Sequence, residues 1–239
     1  PCFVFHPVNA FEDEEGRIWV GVHFGSRGFG HKTASGFLAL AQGLPFDGRA
    51  HEGAMDSPPV LFEVGSELGD AYISAMELAG DYAYAGRDVV VAKVLEMLGA
   101  DAVHEVHNHH NFAWREEHFG RTYWVIRKGC TPARPGQQGF VGGSMGDESV
   151  ILEGVESAEN EQALFSTVHG AGRVMSRTKA LQSFTWSAVK KQLAAAGVEL
   201  LSAGLDEVPG VYTEIDQVMA AQTALRDMLG RFDPNVVHM

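Results

Sequence analysis

Residues 107–118 read HNHHNFAWREEH, and residues 166–177 read STVHGAGRVMSR. The first is a histidine cluster running into an aromatic, charged segment. The second holds one histidine, His169, in a Gly170-Ala171-Gly172 bend with Arg173 and Arg177 behind it. Small residues beside an imidazole let a bulky group approach the ring. Arginines four positions apart share one face of a helix, where both guanidiniums could hold phosphate. Taken alone, the segment equally fits a tight turn around a packed histidine. Two glycine-bearing blocks frame these stretches, VHFGSRGFGH at 22–31 and RKGCTPARPGQQGFVGGSMG at 127–146.

Outward from these blocks, strand-like and helix-like segments alternate without a regular strand-helix-strand rhythm, so a mixed α/β fold is expected. Residues 17–24 (RIWVGVHF) read as a strand entering a turn at Gly25-Ser26-Arg27-Gly28. Residues 33–42 read as a short helix stopped by Gly43, and 51–59 as a polar loop ending in proline. Residues 67–98 have helical periodicity through Met76, Leu78, Val90 and Val94, with a break into two helices expected at Gly80 or Gly86. Residues 121–126 and 149–152 read as strands bracketing a glycine-rich loop, in which Cys130 is expected to pack. An amphipathic helix is expected over 183–196 with Ser183 as its cap. Another is expected over 213–229, with Ile215, Met219, Met228 and Leu229 mostly on one side.

With 239 residues, 45% of them hydrophobic and 21% charged, the chain can bury a substantial core. No apolar run approaches the ~18 residues needed to cross a bilayer, and no signal segment is evident. Two cysteines form no disulfide framework, so a reducing cytoplasm is expected. The first residue is proline, and the natural start is expected upstream. A net charge of −13 argues against a protein that coats nucleic acid non-specifically. The distribution is uneven, however: 147–161 carries six acids and no base, and 162–198 five bases and no acid. A local basic stretch beside His169 could still take a polyanion.

On an extended segment His107 and His109 share one face, and His110 points the other way with Asn108. A cluster this dense favours a metal over packing. Transition metals take neutral imidazole, whose orientation needs an outer partner; Glu105, Asn111 and Glu116 are nearby candidates. His23 precedes Phe24-Gly25-Ser26-Arg27-Gly28, whose backbone N–H groups could form an anion nest with Arg27 as a bidentate donor. Arg127-Lys128-Gly129 and the loop 136–146 are also suited to phosphate. In that loop Gly142-Gly143-Ser144-Met145 can approach a nucleotide closely, and Ser144 and Ser149 offer hydroxyls. The same loop, taken alone, fits a plain surface Ω-loop. Neither a Walker A nor a Rossmann fingerprint is present. His31 has no assigned role.

The four blocks, in this order, resemble the RtcB-type RNA-splicing ligases. The resemblance implies an α/β domain over residues 1–239, with mixed and antiparallel sheets flanked by helices and truncated at its N-terminus. It implies ligation, with GTP and Mn2+, of RNA 3′-phosphate or 2′,3′-cyclic phosphate ends to 5′-hydroxyl ends. His169 is then the nucleophile that carries GMP, and His6, His23 and His110 are the metal ligands, leaving His107 and His109 structural. Asn111, Gly142, Gly143, Ser144, Met145, Ser149, Gly170, Ala171, Gly172 and Tyr212 are implied to bind GTP. His238 stands where family members place a nucleotide-contacting lysine. Arg27, Arg173 and Arg177 are implied to meet RNA or triphosphate. Leu205-Asp206-Glu207-Val208-Pro209 matches the family and is implied to shape the guanosine pocket. A protein activator is left open. The Asp-x-Gly-Cys segment of family members has no match here, which makes a catalytically impaired relative that only binds nucleotide or RNA the alternative. His6 stands seventeen positions before His23, as in the family, but its neighbours differ. The opening PCFVFHPVNAFEDE instead resembles an iron-ligand segment of carotenoid cleavage oxygenases, so an iron-dependent oxygenase is a further alternative.

Overall fold

The computed structural model describes residues 8–12, 17–51, 59–234 and 236–238. In it β1 (Val8–Glu12) pairs antiparallel with the β-branched run before His23, β2 (Ile18–Val22). The chain divides into two compact units, one built of Pro1–His23 with Gly99–Met239 and the other of Phe24–Leu98.

The smaller unit holds two helices, α1 (Arg27–Ala41) and α2 (Glu67–Leu98). Helix α1 starts six residues earlier than the sequence pattern suggests, with Ser26 at its N-cap position, so the Gly-Ser-Arg-Gly stretch runs into the helix start. Arg27, its first residue, takes a left-handed φ of 56°. The expected break in 67–98 is absent: α2 runs unbroken for 32 residues. Gly86 serves packing instead of termination, because a side chain there would meet the Phe24 ring at 3.1 Å. The Arg87 guanidinium donates to the Phe24 carbonyl at 2.6 Å on the same side. Phe37 on α1 is buried and meets Tyr72 edge-on at 5.3 Å and Phe46 at 5.8 Å. Each such ring pair contributes about 0.5–1.5 kcal/mol beyond its buried area. Neither helix is apolar enough to cross a membrane.

In the larger unit β3 (Asn111–His118) and β4 (Arg121–Lys128) form a hairpin. The glycine-rich stretch after it is not a loop throughout. It contains β5 (Cys130–Pro132) and β6 (Gln138–Val141), followed by β7 (Ser149–Gly154). Cys130 therefore sits in a strand. The short α3 (Ala158–Gln162) leads to β8 (Ser166–Val168), which pairs antiparallel with β5.

The helix expected over 183–196 is two helices, α4 (Arg177–Ser183) and α5 (Trp186–Ala195). Ser183 closes the first rather than capping the second, its hydroxyl donating back to the Lys179 carbonyl at 2.8 Å. Ser176 caps α4 by accepting from the Lys179 N–H. Strand β9 (Glu199–Ser202) follows, then two single-turn segments, Leu205–Glu207 and Pro209–Val211. The last expected helix is only α6 (Ile215–Ala220), and Met228 and Leu229 lie in β10 (Arg226–Phe232). Periodicity over so short an apolar run cannot separate helix from strand; pairing with β7 decides for strand.

Strand β11 (Val236–His238) completes a four-stranded sheet of order β2-β1-β11-β9, antiparallel except for the β11–β9 pair. A second sheet has order β10-β7-β6 and is antiparallel throughout. The architecture is thus mixed α/β with mainly antiparallel sheets and flanking helices, as expected. Two of the apolar clusters in this unit flank the candidate site. Val189, Leu193, Val208, Val211 and Val237 pack with Met145 in one, and Val141, Val150, Leu152, Ile215 and Met219 pack in the other. Full burial of each large apolar side chain contributes about 1.5–3 kcal/mol. The backbone next to the candidate site is therefore anchored on both sides.

Candidate functional site

Three histidines from three distant blocks converge in the larger unit. Strand β2 ends at Val22 and presents His23 as the next residue; His110 immediately precedes β3; β8 ends at Val168 and presents His169. One ring nitrogen from each lies within 4.8 Å of the others. His23 Nε2 and His110 Nε2 are 2.9 Å apart with the rings at 87°. His110 and His169 stack in parallel at 4.6 Å.

Backbone contacts fix these rings. The Gly129 N–H donates to the His110 carbonyl at 2.9 Å and to Asn111 Oδ1 at 3.1 Å. Gly129 has a φ of 73°, and a side chain there would come within 3.7 Å of the His169 ring. On the other side, the Gly142 N–H donates to the His169 carbonyl at 3.3 Å, and Ala171 N–H returns a bond to the Gly142 carbonyl at 3.1 Å. The Gly142-Gly170 pairing thus joins two of the glycine blocks beside the imidazole.

The donor set fits a transition metal. Two imidazole nitrogens bound about 2.1 Å from one ion at a right angle lie roughly 3 Å apart, which matches the His23–His110 spacing. His169 Nδ1 is buried with no hydrogen-bond partner among the described residues, and a buried imidazole nitrogen left so is costly unless a ligand satisfies it. Three imidazoles with no carboxylate among them favour a borderline transition metal over magnesium or calcium.

The remaining expected site residues divide clearly. His6 lies outside the described residues, as does the side chain of His238, whose backbone forms the end of β11. His107 and His109 stay out of the trio. His109 stacks on Phe112 at 4.7 Å, and its carbonyl accepts from the Thr131 hydroxyl. Asn108 bonds to β6 through the Gln138 carbonyl and the Phe140 N–H. Ser144 and Ser149 are buried, and Met145 belongs to an apolar cluster. The 142–146 segment is consequently a packed turn rather than a surface Ω-loop. At Gly143 an added side chain would strike the Glu148 carbonyl at 2.1 Å.

Arg173 and Arg177 do not share a helix face, because α4 begins only at Arg177 and Arg173 bridges to Tyr212 ahead of it. Both instead meet carboxylates. Arg173 reaches Glu207 and the Tyr212 hydroxyl at 3.3 Å each, and Arg177 pairs with Asp206 and, at 2.6 Å, with Glu207. Burial, reinforced by a hydrogen bond to Glu207 and by its charge, pushes the Tyr212 phenol up to about 12. Arg127, expected among the phosphate-ready residues, is 1% exposed and held by two hydrogen bonds to Glu116. Glu116 in turn binds His118 rather than orienting His110. A readable sign of this buried pair was present: Glu116 and Arg127 share a hairpin face with Trp114 and Val125, and a charge at an inward strand position needs a partner.

A family model described as tRNA-splicing ligase RtcB matches residues 5–239. The chain is 36% identical over 242 residues to the RNA-splicing ligase RtcB of Escherichia coli strain K12, covering 94% of this chain and 56% of that protein. It is 33% identical over 268 residues to the tRNA-splicing ligase RtcB of Pyrococcus horikoshii, covering 97% of this chain and 30% of that protein. Against the tRNA-splicing ligase RtcB of Thermococcus kodakarensis it is 31% identical over 260 residues, covering 92% of this chain and 52% of that protein. The chain thus spans about half the length of the Escherichia coli and Thermococcus kodakarensis relatives, or less of the Pyrococcus one. The match runs through every block that contributes a histidine to the trio, and the chain belongs to the RtcB family.

Proposed function

We propose that residues 1–239 act as the nucleotidyl-transfer part of a GTP- and Mn2+-dependent RNA ligase. The observation that carries this reading is the meeting of His23, His110 and His169 from three separate sequence blocks. His23 and His110, with His6, would hold Mn2+, which when bound acts as a Lewis acid on phosphate oxygens. A ring nitrogen of His169 would attack the α-phosphorus of GTP. An N–P bond forms, the α–β bridging P–O bond breaks, and pyrophosphate leaves with the electron pair.

The glycines around the imidazole suit this role. Gly172 has open space where a side chain would stand, while Gly142 and Gly170 keep the two backbones close beside the ring. Asn111, Ser144, Met145, Ser149, Tyr212 and His238 complete the proposed nucleotide contacts. An RNA 3′-phosphate, either supplied as such or opened by water from a 2′,3′-cyclic phosphate, would take GMP from His169. A 5′-hydroxyl then attacks the activated phosphate and expels GMP. Arg27, Arg173 and Arg177 are the proposed RNA or triphosphate contacts, and the last two would exchange Glu207 and Asp206 for phosphate.

Incubation with GTP and Mn2+ followed by intact-mass measurement tests the nucleophile. A GMP adduct is expected on wild type and not on His169→Ala. An adduct that survives the substitution removes His169 from the role. Saturable GTP binding with no adduct on wild type would support a relative that binds nucleotide without transferring it.

A further inference from the structure

The strand that delivers His169 leaves a strained turn. Leu164 and Phe165, the two residues before β8, both adopt left-handed backbone, with φ of 53° and 48°. Neither is glycine or asparagine, and each such residue costs of order 1–3 kcal/mol unless its surroundings hold it. Several groups do. The Phe165 N–H donates to the Asn160 carbonyl at 2.7 Å, and the Phe165 carbonyl accepts from Ala133 at 2.7 Å. The Leu164 carbonyl accepts from Arg127 Nη2 at 2.8 Å.

Arg127 reaches further than this one bond. Its Nε donates to the hydroxyl of Ser166, the first residue of β8, at 2.8 Å. Its two terminal nitrogens bind both oxygens of Glu116 on β3, at 2.8 and 2.9 Å. The guanidinium lies 4.8 Å from the centre of the Trp114 ring. One fixed, planar fork therefore ties three segments: the hairpin that begins beside His110, the strained turn, and the strand that ends beside His169.

We infer that Arg127 is a positioning residue, which with Glu116 clamps the Leu164–Phe165 turn and so sets the stacking of His110 on His169. This rests on the reading of those two histidines as the reactive site, but the geometry it predicts is measurable without that reading. Lysine keeps the charge beside Glu116 but has no fork to span Leu164 and Ser166 as well.

The test compares wild type with Arg127→Lys, with Ser166→Ala, which removes the Arg127 link to β8 together with the hydroxyl's own bond to the Leu164 carbonyl at 3.1 Å, and with Arg121→Lys, an exposed control on β4. In metal-free protein with labelled histidines, inter-ring NOEs between His110 and His169 are expected in wild type and the control. They are expected to be lost or weakened severalfold in Arg127→Lys and Ser166→Ala at temperatures where both remain folded by circular dichroism. Co(II) titration should then show a severalfold weaker affinity in those two variants, because His110 loses the ring stacked against it. Unchanged NOEs in a folded Arg127→Lys or Ser166→Ala protein overturn the inference. If Arg127→Lys does not fold, Ser166→Ala decides alone. Wild type that takes up no Co(II) removes the metal site proposed above, and the NOE comparison still decides the role of Arg127.

Discussion

At the scale of single residues, two adjacent histidines have been sorted into different work. His110 turns toward His23 and His169, while His109 stacks on Phe112 and supports Thr131 through its carbonyl. The two should respond oppositely to truncation. His110→Ala is expected to weaken Mn2+ binding by more than about tenfold, since even outer partners of metal ligands cost that much. His109→Ala should leave Mn2+ affinity unchanged and cost about 1 kcal/mol from the lost stacking. Calorimetric titration with Mn2+ and thermal melts separate the two effects, and equal Mn2+ affinities in both variants would refute the assignment. The sequence offered three histidines here with no local reason to prefer one; the family resemblance chose His110, and the tertiary contacts place it with the other two.

At the scale of elements, the site depends on two features of the surrounding strands. The first is close approach of backbone. Strand β7 ends at Gly154, where an added side chain would sit 2.1 Å from the Ala133 carbonyl. Neither backbone can give way cheaply, so Gly154→Ala should cost about 1–3 kcal/mol, as overpacking does. Chemical denaturation would show a lower midpoint at unchanged slope; an unaltered midpoint would contradict the packing described.

The second feature is the buried Glu116–Arg127 pair between β3 and β4. Burial acts to raise the Glu116 carboxyl, but hydrogen bonds from Arg127 and His118, with the Arg127 and Arg134 charges, outweigh it and hold the group below the usual carboxylate range. A carboxylate with a depressed folded-state pKa binds protons more readily when unfolded. Its stabilisation is therefore fully present above the unfolded value near 4.5 and is lost as pH falls through the lower folded value. Wild type should lose stability over that acid range more steeply than Glu116→Gln, measured by denaturation at a series of pH values. Parallel pH profiles would show that this pair does not control acid unfolding. Element boundaries were the least legible part of the sequence: 213–229 looked helical throughout, yet β10 is fixed by its pairing with β7.

At the scale of the molecule, an ion that binds only the folded arrangement adds to its stability. The trio gathers residues separated by 87 positions between His23 and His110 alone, so an unfolded chain would offer no comparable site. Mn2+ at about a hundred times its dissociation constant should stabilise the fold by roughly 2.7 kcal/mol, seen as a higher thermal midpoint. The shift should vanish in His23→Ala, and a shift of the same size in that variant would place Mn2+ elsewhere.

The sequence by itself determined the mixed α/β character and the four blocks, because hydrophobic period, glycine bends and unusual histidine density are local properties of the chain. Tertiary structure alone decided that α2 runs through its glycines and that Arg173 and Arg177 are drawn to carboxylates. It also decided that a buried arginine holds the turn before His169. These depend on which distant side chains meet, and on the cost of leaving a buried charge or a strained backbone without a partner, neither of which a local pattern encodes.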